Sequence, residues 1–321
     1  MNDTHEIDQH FEIFYPNAHG QISKLNRENK NPRFVHYTSA TSAISIIENQ
    51  ELWMRNAACM NDYQEIHYGI DCVKFAFKTE TGKNFENILD RIHNGISKEI
   101  LRKFNNFSYS LPNETYIFSL SKHLREEDDF GRLSMWRAYG ADIRVALLFK
   151  TAPFLDQADT LRAYTSPVAY LNKNNFLHEF AKVTKSIDNN QDFIRHMSPD
   201  AVIDTVFQVL WYAAMCTKHP GFKEEKEWRI IHNPSIDPSK HLIKQVTTIK
   251  GAPQIIYKIP LKNIPSEGLT GIEVPEILDK IIIGPTTNPK MAYDAFVEVL
   301  QRANITDAMK KVIVSDIPLR D

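Results

Sequence analysis

The sequence predicts an α+β fold with a mixed or antiparallel sheet and a helical insertion. Three observations predict it. Strand-like and amphipathic helical runs alternate irregularly, the helical runs concentrate in the middle of the chain, and no repeat, low-complexity segment or long linker separates them. The 321 residues, 42% hydrophobic and 24% charged, are enough to bury a sizeable core. The organisation expected is a polar lead-in over residues 1–30 and one domain over 31–321, with the insertion around 174–219.

Taken in order, Arg33–Thr38 reads as a strand. Ser39 or Thr41 caps a helix running to Asn49, with Ala43, Ile44 and Ile47 on its apolar face. Glu51–Asn56 is a second strand. Asn61 or Asp62 caps a helix whose apolar stripe is Ile66, Ile70, Val73 and Phe77. Residues 83–106 read as helix, Thr115–Ser121 as strand, and Ile143–Lys150 and Arg162–Leu171 as two more. One or two helices fill 174–219, the second burying Val202, Val206, Leu210 and Ala213. Strands follow at Glu225–His232, Ile255–Leu261 and Leu278–Gly284, then a helix at Asn288–Arg302 and a last strand at Lys311–Ser315.

The N-terminal MNDTHEIDQHFEIFYP has neither the basic nor the apolar region of a signal peptide, and no run approaches the roughly 18 apolar residues of a membrane span. Cys59, Cys72 and Cys216 are odd in number and far apart, which suits a reducing cytoplasm. The net charge of −2 excludes a broadly basic protein but leaves room for a local nucleic-acid groove. No GxGxxG follows a strand, no GxxxxGK[ST] is present and no GxSxG elbow, which speaks against a Rossmann unit, a Walker-type nucleotidase and a hydrolase elbow; with no CxxC pair or HExxH, no metal centre is expected.

Four constellations can carry chemistry. In His36-Tyr37-Thr38, strand alternation puts His36 and Thr38 on one face, a donor–acceptor pair suited to ribose hydroxyls or an amide; a structural histidine beside a capping threonine is the bland alternative. In CMNDYQE, Asn61, Asp62 and Glu65 gather at a helix start, where capping explains one of the three. In SMWRAYG, Trp136 and Tyr139 can stack a planar ring or belong to the core. In FKEEKEWRII, Glu225, Glu227 and Arg229 alternate with Lys226, Trp228 and Ile230, so a strand there puts two carboxylates and a guanidinium on one face. Two basic groupings stand beside these: Lys24, Arg27, Lys30 and Arg33 before the first strand, and Arg125, Arg132 and Arg137 around the W-x-x-Y segment.

The order HYT, ND-x-x-E, W-x-x-Y-G, E-x-E-W-R, with the ending IIIGP…SDIPLR, resembles a bacterial family of unknown-function domains over Phe34 to Arg320. That family resembles, more distantly, the ADP-ribosyltransferase superfamily, including toxins of phage-defence and toxin–antitoxin systems. The resemblance implies a split mixed or antiparallel sheet gripping NAD as co-substrate. His36 matches the first-strand residue that orients the NAD ribose, with Tyr37 beside it and Thr38 near the nicotinamide amide. Glu227 matches the glutamate that hydrogen-bonds the nicotinamide-ribose 2′-OH, Glu225 the position that handles the acceptor, and Arg229 is their counter-charge. Ser119 or Ser121 matches the middle-strand station. Asn61 and Asp62 wall the cleft, and Trp53, Tyr63, Trp136 and Tyr139 are candidates to hold the leaving nicotinamide. HYT departs from the H-G-[ST] of the polymerising enzymes, and no clean serine-threonine-serine signature is present. The expected activity is a cytoplasmic NAD-dependent ADP-ribosyltransferase acting on RNA or DNA, needing no metal, with an antitoxin as a further expected partner. An NAD glycohydrolase, a protein-modifying enzyme and an inactive nucleotide-binding module are the alternatives.

Overall fold

The computed structural model describes residues 9–28, 31–59, 63–138, 143–155 and 159–318. Two compact units interleave along the chain. Met1–Glu28, Ala57–Thr115 and Ser166–Lys223 form one, and Asn29–Asn56, Tyr116–Thr165 and Glu224–Asp321 form the other. Among the described residues no helix is long and apolar enough to cross a membrane.

The first unit is almost wholly helical. Its main helices are Tyr63–Phe77, Glu80–Ile92, Ile96–Phe107, Lys173–Asn189 and Pro199–Met215. Local chemistry sets their starts: Thr79, Asn172 and Ser198 each accept a backbone N–H of the first turn. The single helix expected over 83–106 is two helices, because Gly95 at φ +82° turns the chain between them. Helices Tyr63–Phe77 and Pro199–Met215 touch at Gly69, where an added Cβ would lie 2.0 Å from the carbonyl oxygen of Ala214. The described part of the lead-in, residues 9–28, is packed. Pro16–Glu28 is a helix, Ile13, Phe14 and Leu25 are buried, and Asn17 donates to Glu179 at 3.0 Å.

The second unit is built on one mixed sheet. Its strands are β1 (Arg33–Ser39), β2 (Glu51–Asn56), β3 (Tyr116–His123), β4 (Arg144–Lys150) and β5 (Tyr164–Pro167). The two-residue strands β6 (Ala169–Tyr170) and β7 (Thr217–Lys218) pair apart from it, in the helical unit. The sheet continues with β8 (Glu227–His232), β9 (Ile243–Ile249), β10 (Ala252–Pro260), β11 (Leu278–Ile283) and β12 (Val312–Val314). The order runs β12-β11-β4-β1-β3-β2-β10-β9, with β8 joined to β3 and carrying β5. β11 and β12 are parallel; the other registered pairs of this sheet are antiparallel.

One core cluster decides how part of the sheet is covered. Val35 and Tyr37 of β1, Ala146 and Leu148 of β4 and Ile282 of β11 meet Met135 and Trp136 of the short helix Leu133–Ala138. Trp136 is fully buried, its ring lies edge-on to Tyr37 at 4.8 Å, and its indole N–H donates to the Phe130 carbonyl at 2.8 Å.

Candidate functional site

The sheet divides at β3. One edge of β3 carries β8 from Tyr116 to Ser121. The opposite edge carries two strands in succession: β2 pairs at Tyr116 and Ile117, and β1 pairs at Ser121 to His123. Between them, Phe118, Ser119 and Leu120 have no strand partner on that edge among the described residues, and β1 and β2 leave toward β4 and β10 respectively.

His36 lies one residue beyond the last β1–β3 pair, Val35 with Ser121. Its Nδ1 is 3.0 Å from the Ser119 carbonyl oxygen. A carbonyl only accepts, so the proton sits on Nδ1 and Nε2 is left as an acceptor. The ring packs on Phe118 with centroids 4.4 Å apart. Burial pushes the imidazole down to about 4, against the carbonyl contact, which favours the protonated ring. His36 is therefore neutral at pH 7.

On the other edge of β3, Ser119 lies opposite Arg229 and Ser121 opposite Glu227. Arg229 grips Glu227 with two bonds, Nε to Oε1 at 2.9 Å and Nη2 to Oε2 at 3.2 Å. The Ser119 hydroxyl donates to Glu227 Oε1 at 2.8 Å. The pair is deeply buried, with Arg229 1% and Glu227 6% exposed. Ser119 thus holds His36 through its carbonyl and Glu227 through its hydroxyl.

The register also separates these groups. Directly opposed residues share a sheet face. Phe34 opposes Lys122, and Leu120 opposes Trp228, so His36 and Thr38 belong to the face of Phe118, Leu120 and Trp228. Ser119, Ser121, Glu227 and Arg229 belong to the other face, with Val35 and Tyr37. His36 meets Glu227's neighbourhood only where the division opens the edge of β3.

Other expected positions differ. Glu225 is not on the strand: Lys226 at φ +46° breaks the alternation, and the Glu225 backbone carbonyl accepts from the Ser121 hydroxyl. Ser121 also accepts from Arg132 Nη1 at 2.8 Å, so its bonds go to the chain entering β8, and Ser119 is the serine on the carboxylate. Tyr37 and Trp136 are buried members of the core. The Tyr37 hydroxyl accepts the Arg132 backbone N–H at 2.9 Å. Arg132 is consumed by Glu127, through Nε at 2.8 Å and Nη2 at 2.9 Å, and by the Lys122 and Glu224 carbonyls. Arg33 pairs with Asp128 at 2.5 Å and Asp279 at 3.0 Å, which removes it from a basic arm. Trp53 is half-buried, donates to Glu51 at 3.1 Å and has the Lys258 ammonium 5.2 Å from its ring centre. Glu65 belongs to the helical unit, where it pairs with the buried Lys218 at 2.7 Å. Asn61, Asp62 and Tyr139, the side chain of Tyr63, and Lys30 lie outside the described residues.

With this geometry in view, the comparisons are narrow. Residues 135–230 match the family model DUF2971, described as a protein of unknown function. The match runs from the residue before Trp136 to the residue after Arg229, less than a third of the chain, and so covers the W-x-x-Y-G and E-x-E-W-R motifs. No curated protein and no solved structure is significantly similar to the chain.

The neutral imidazole has a consequence for stability. Unfolded, His36 titrates near 6.5; folded, it stays unprotonated to about 4. The unfolded chain alone takes up this proton as the pH falls, so stability is full above about 6.5 and declines toward about 4. His123 and His232, also pushed down by burial, act in the same direction. At about 1.4 kcal/mol per pKa unit, His36 alone contributes on the order of 3 kcal/mol of acid sensitivity. His36→Gln is expected to flatten the dependence of the urea midpoint on pH across this window. An unchanged slope would place the sensitivity elsewhere.

Proposed function

We propose that the chain is an NAD-dependent ADP-ribosyltransferase, a toxin or anti-phage effector that transfers ADP-ribose to a nucleic acid and releases nicotinamide. The observation that carries this reading is the double engagement of Ser119 at the division of the sheet, with the Glu227 carboxylate on its hydroxyl and the neutral His36 on its carbonyl. The donor set suits a ribose: a carboxylate to accept from the 2′-OH, and an imidazole nitrogen free to accept from another hydroxyl. Breaking the nicotinamide–ribose bond sends its electron pair to nicotinamide and leaves positive charge on the ribose, as in glycoside cleavage. Glu227 is the group placed to stabilise that charge, and Arg229 fixes its orientation. The acceptor's oxygen or nitrogen then bonds to the anomeric carbon and loses its proton.

A second reading is a nucleotide-binding module without turnover. Glu227 is 6% exposed with both oxygens engaged, and His36 belongs to the opposite sheet face, which favours a structural role for the pair. NAD labelled in the ADP-ribose, incubated with cellular RNA, DNA and protein followed by separate digestion, distinguishes these. Label lost on nuclease treatment supports the proposal. Label lost only to protease moves the acceptor to protein, and free ADP-ribose indicates a glycohydrolase. NAD binding without nicotinamide release supports the module.

A further inference from the structure

The last strand of the sheet, β9, has the properties of a docking edge. It pairs with β10 on one side and ends the sheet on the other among the described residues. Edge strands are usually short, bulged or covered. This one is a regular seven-residue run, IKQVTTI, with Val246 68% exposed opposite Ile255 of β10 at 38%, and Ile243 51% exposed on the other face. The hairpin Ile249-Lys250-Gly251-Ala252 turns on two positive-φ residues, Lys250 at +51° and Gly251 at +82°. A two-residue turn is closed by its flanking pair, so Ile249 and Ala252 exchange hydrogen bonds and the pattern alternates from there. That alternation leaves the N–H and C=O groups of Lys244, Val246 and Thr248 pointing away from β10. Pro253, which has no N–H, falls opposite Thr248, where no bond to β9 is needed.

Charge selects the occupant. Between Asp237 and Glu267 the chain has no carboxylate side chain but five lysines, Lys240, Lys244, Lys250, Lys258 and Lys262. Lys240 is paired with Glu267 and Lys258 with Glu51. Lys244 and Lys250, both exposed, have no acidic partner among the described residues and flank the open edge. A second copy of β9 fits poorly, because antiparallel pairing about Val246 brings the turn lysine of each copy, Lys250, toward Lys244 of the other, an approach of like charges. A nucleic acid would satisfy the lysines but not the row of outward backbone groups at Lys244, Val246 and Thr248.

We propose that β9 binds an acidic, extended segment of a partner protein, which adds to the sheet as a further strand, with backbone bonds supplying affinity and carboxylates facing Lys244 and Lys250. This does not depend on the transferase reading.

The probe is a fluorescein-labelled, end-capped nonapeptide alternating glutamate with valine, followed by fluorescence anisotropy at low salt. Saturable binding is expected. Val246→Pro removes an outward N–H and spares the bonds to β10, and is expected to weaken binding about tenfold or more. The pair Lys244→Glu and Lys250→Glu should weaken it comparably and admit the lysine-for-glutamate peptide. A peptide N-methylated at alternate amides should not bind, a control that does not depend on any variant folding. No saturable binding, or binding indifferent to N-methylation, overturns the proposal. A concentration-dependent dimer abolished by Val246→Pro would assign the edge to a second copy instead, and stoichiometric displacement of the peptide by single-stranded RNA would assign it to a polyanion.

Discussion

Glu227→Gln is expected to lower nicotinamide release from NAD by about 10²–10³-fold, the usual effect of removing one preorganised electrostatic group. The substitution keeps size and hydrogen-bonding reach but removes the negative charge. It also strands Arg229, which is 1% exposed and held to both oxygens of Glu227. Breaking a buried pair by removing one charge costs about 3–5 kcal/mol, enough to mimic a catalytic loss by unfolding. The double variant Glu227→Gln, Arg229→Met separates the two effects. Removing both charges is expected to restore much of the stability without restoring turnover. If the single variant melts like the wild type and still releases nicotinamide at a near-normal rate, Glu227 has no part in the chemistry. If turnover returns with stability in the double variant, the pair serves the fold alone.

Why the pair was legible while its setting was not follows from where the information lies. Alternation in KEEKEWRII is a local signal, and it places Glu227 and Arg229 on one face with Trp228 and Ile230 on the other, as β8 does. The same alternation fails for Glu225, because one residue in the left-handed region, Lys226, resets the phase. The side of the sheet shared by β1 and β8 depends on register through β3, which is non-local, and that register puts His36 and Glu227 on opposite faces. The division of the sheet at Ser119 is likewise a consequence of which strands pair, not of any residue's preference. Strand β9 is absent from the expected strands for a local reason: IKQVTTI mixes apolar and polar residues without a buried apolar alternation, and Lys-Gly is not one of the Asn-Gly or Asp-Gly pairs that mark a hairpin most strongly. The helix boundary at Gly95 was signalled only by a single glycine in an otherwise helical pattern.

The aromatic segment gives the second large effect, and here stability should respond, not ligand affinity. Trp136→Ala is expected to destabilise the protein by about 3–5 kcal/mol, the range for truncating a buried aromatic. The indole has no room to serve a ligand. Tyr37 lies against it, Phe130 takes its N–H, and two glycines approach it closely. A Cβ at Gly131 would lie 2.5 Å from the ring, and one at Gly284 3.0 Å from it. Gly131 also sits at φ +71°, so Gly131→Ala combines a steric clash with an unfavourable backbone and should itself lower stability by more than about 1 kcal/mol. Loss of Trp136 leaves a cavity between β1, β4 and β11, and frees the short helix that carries it. Arg132, just before that helix, binds Ser121, the Glu224 carbonyl and both oxygens of Glu127, so the disturbance should spread to the chain entering β8 and to the position of Glu227. Urea denaturation of Trp136→Ala, Trp136→Phe and Gly131→Ala provides the measurement, with the alanine variant least stable among the Trp136 pair. A Trp136→Ala protein as stable as the wild type but weakened in NAD binding would return this tryptophan to the ligand site and remove it from the core.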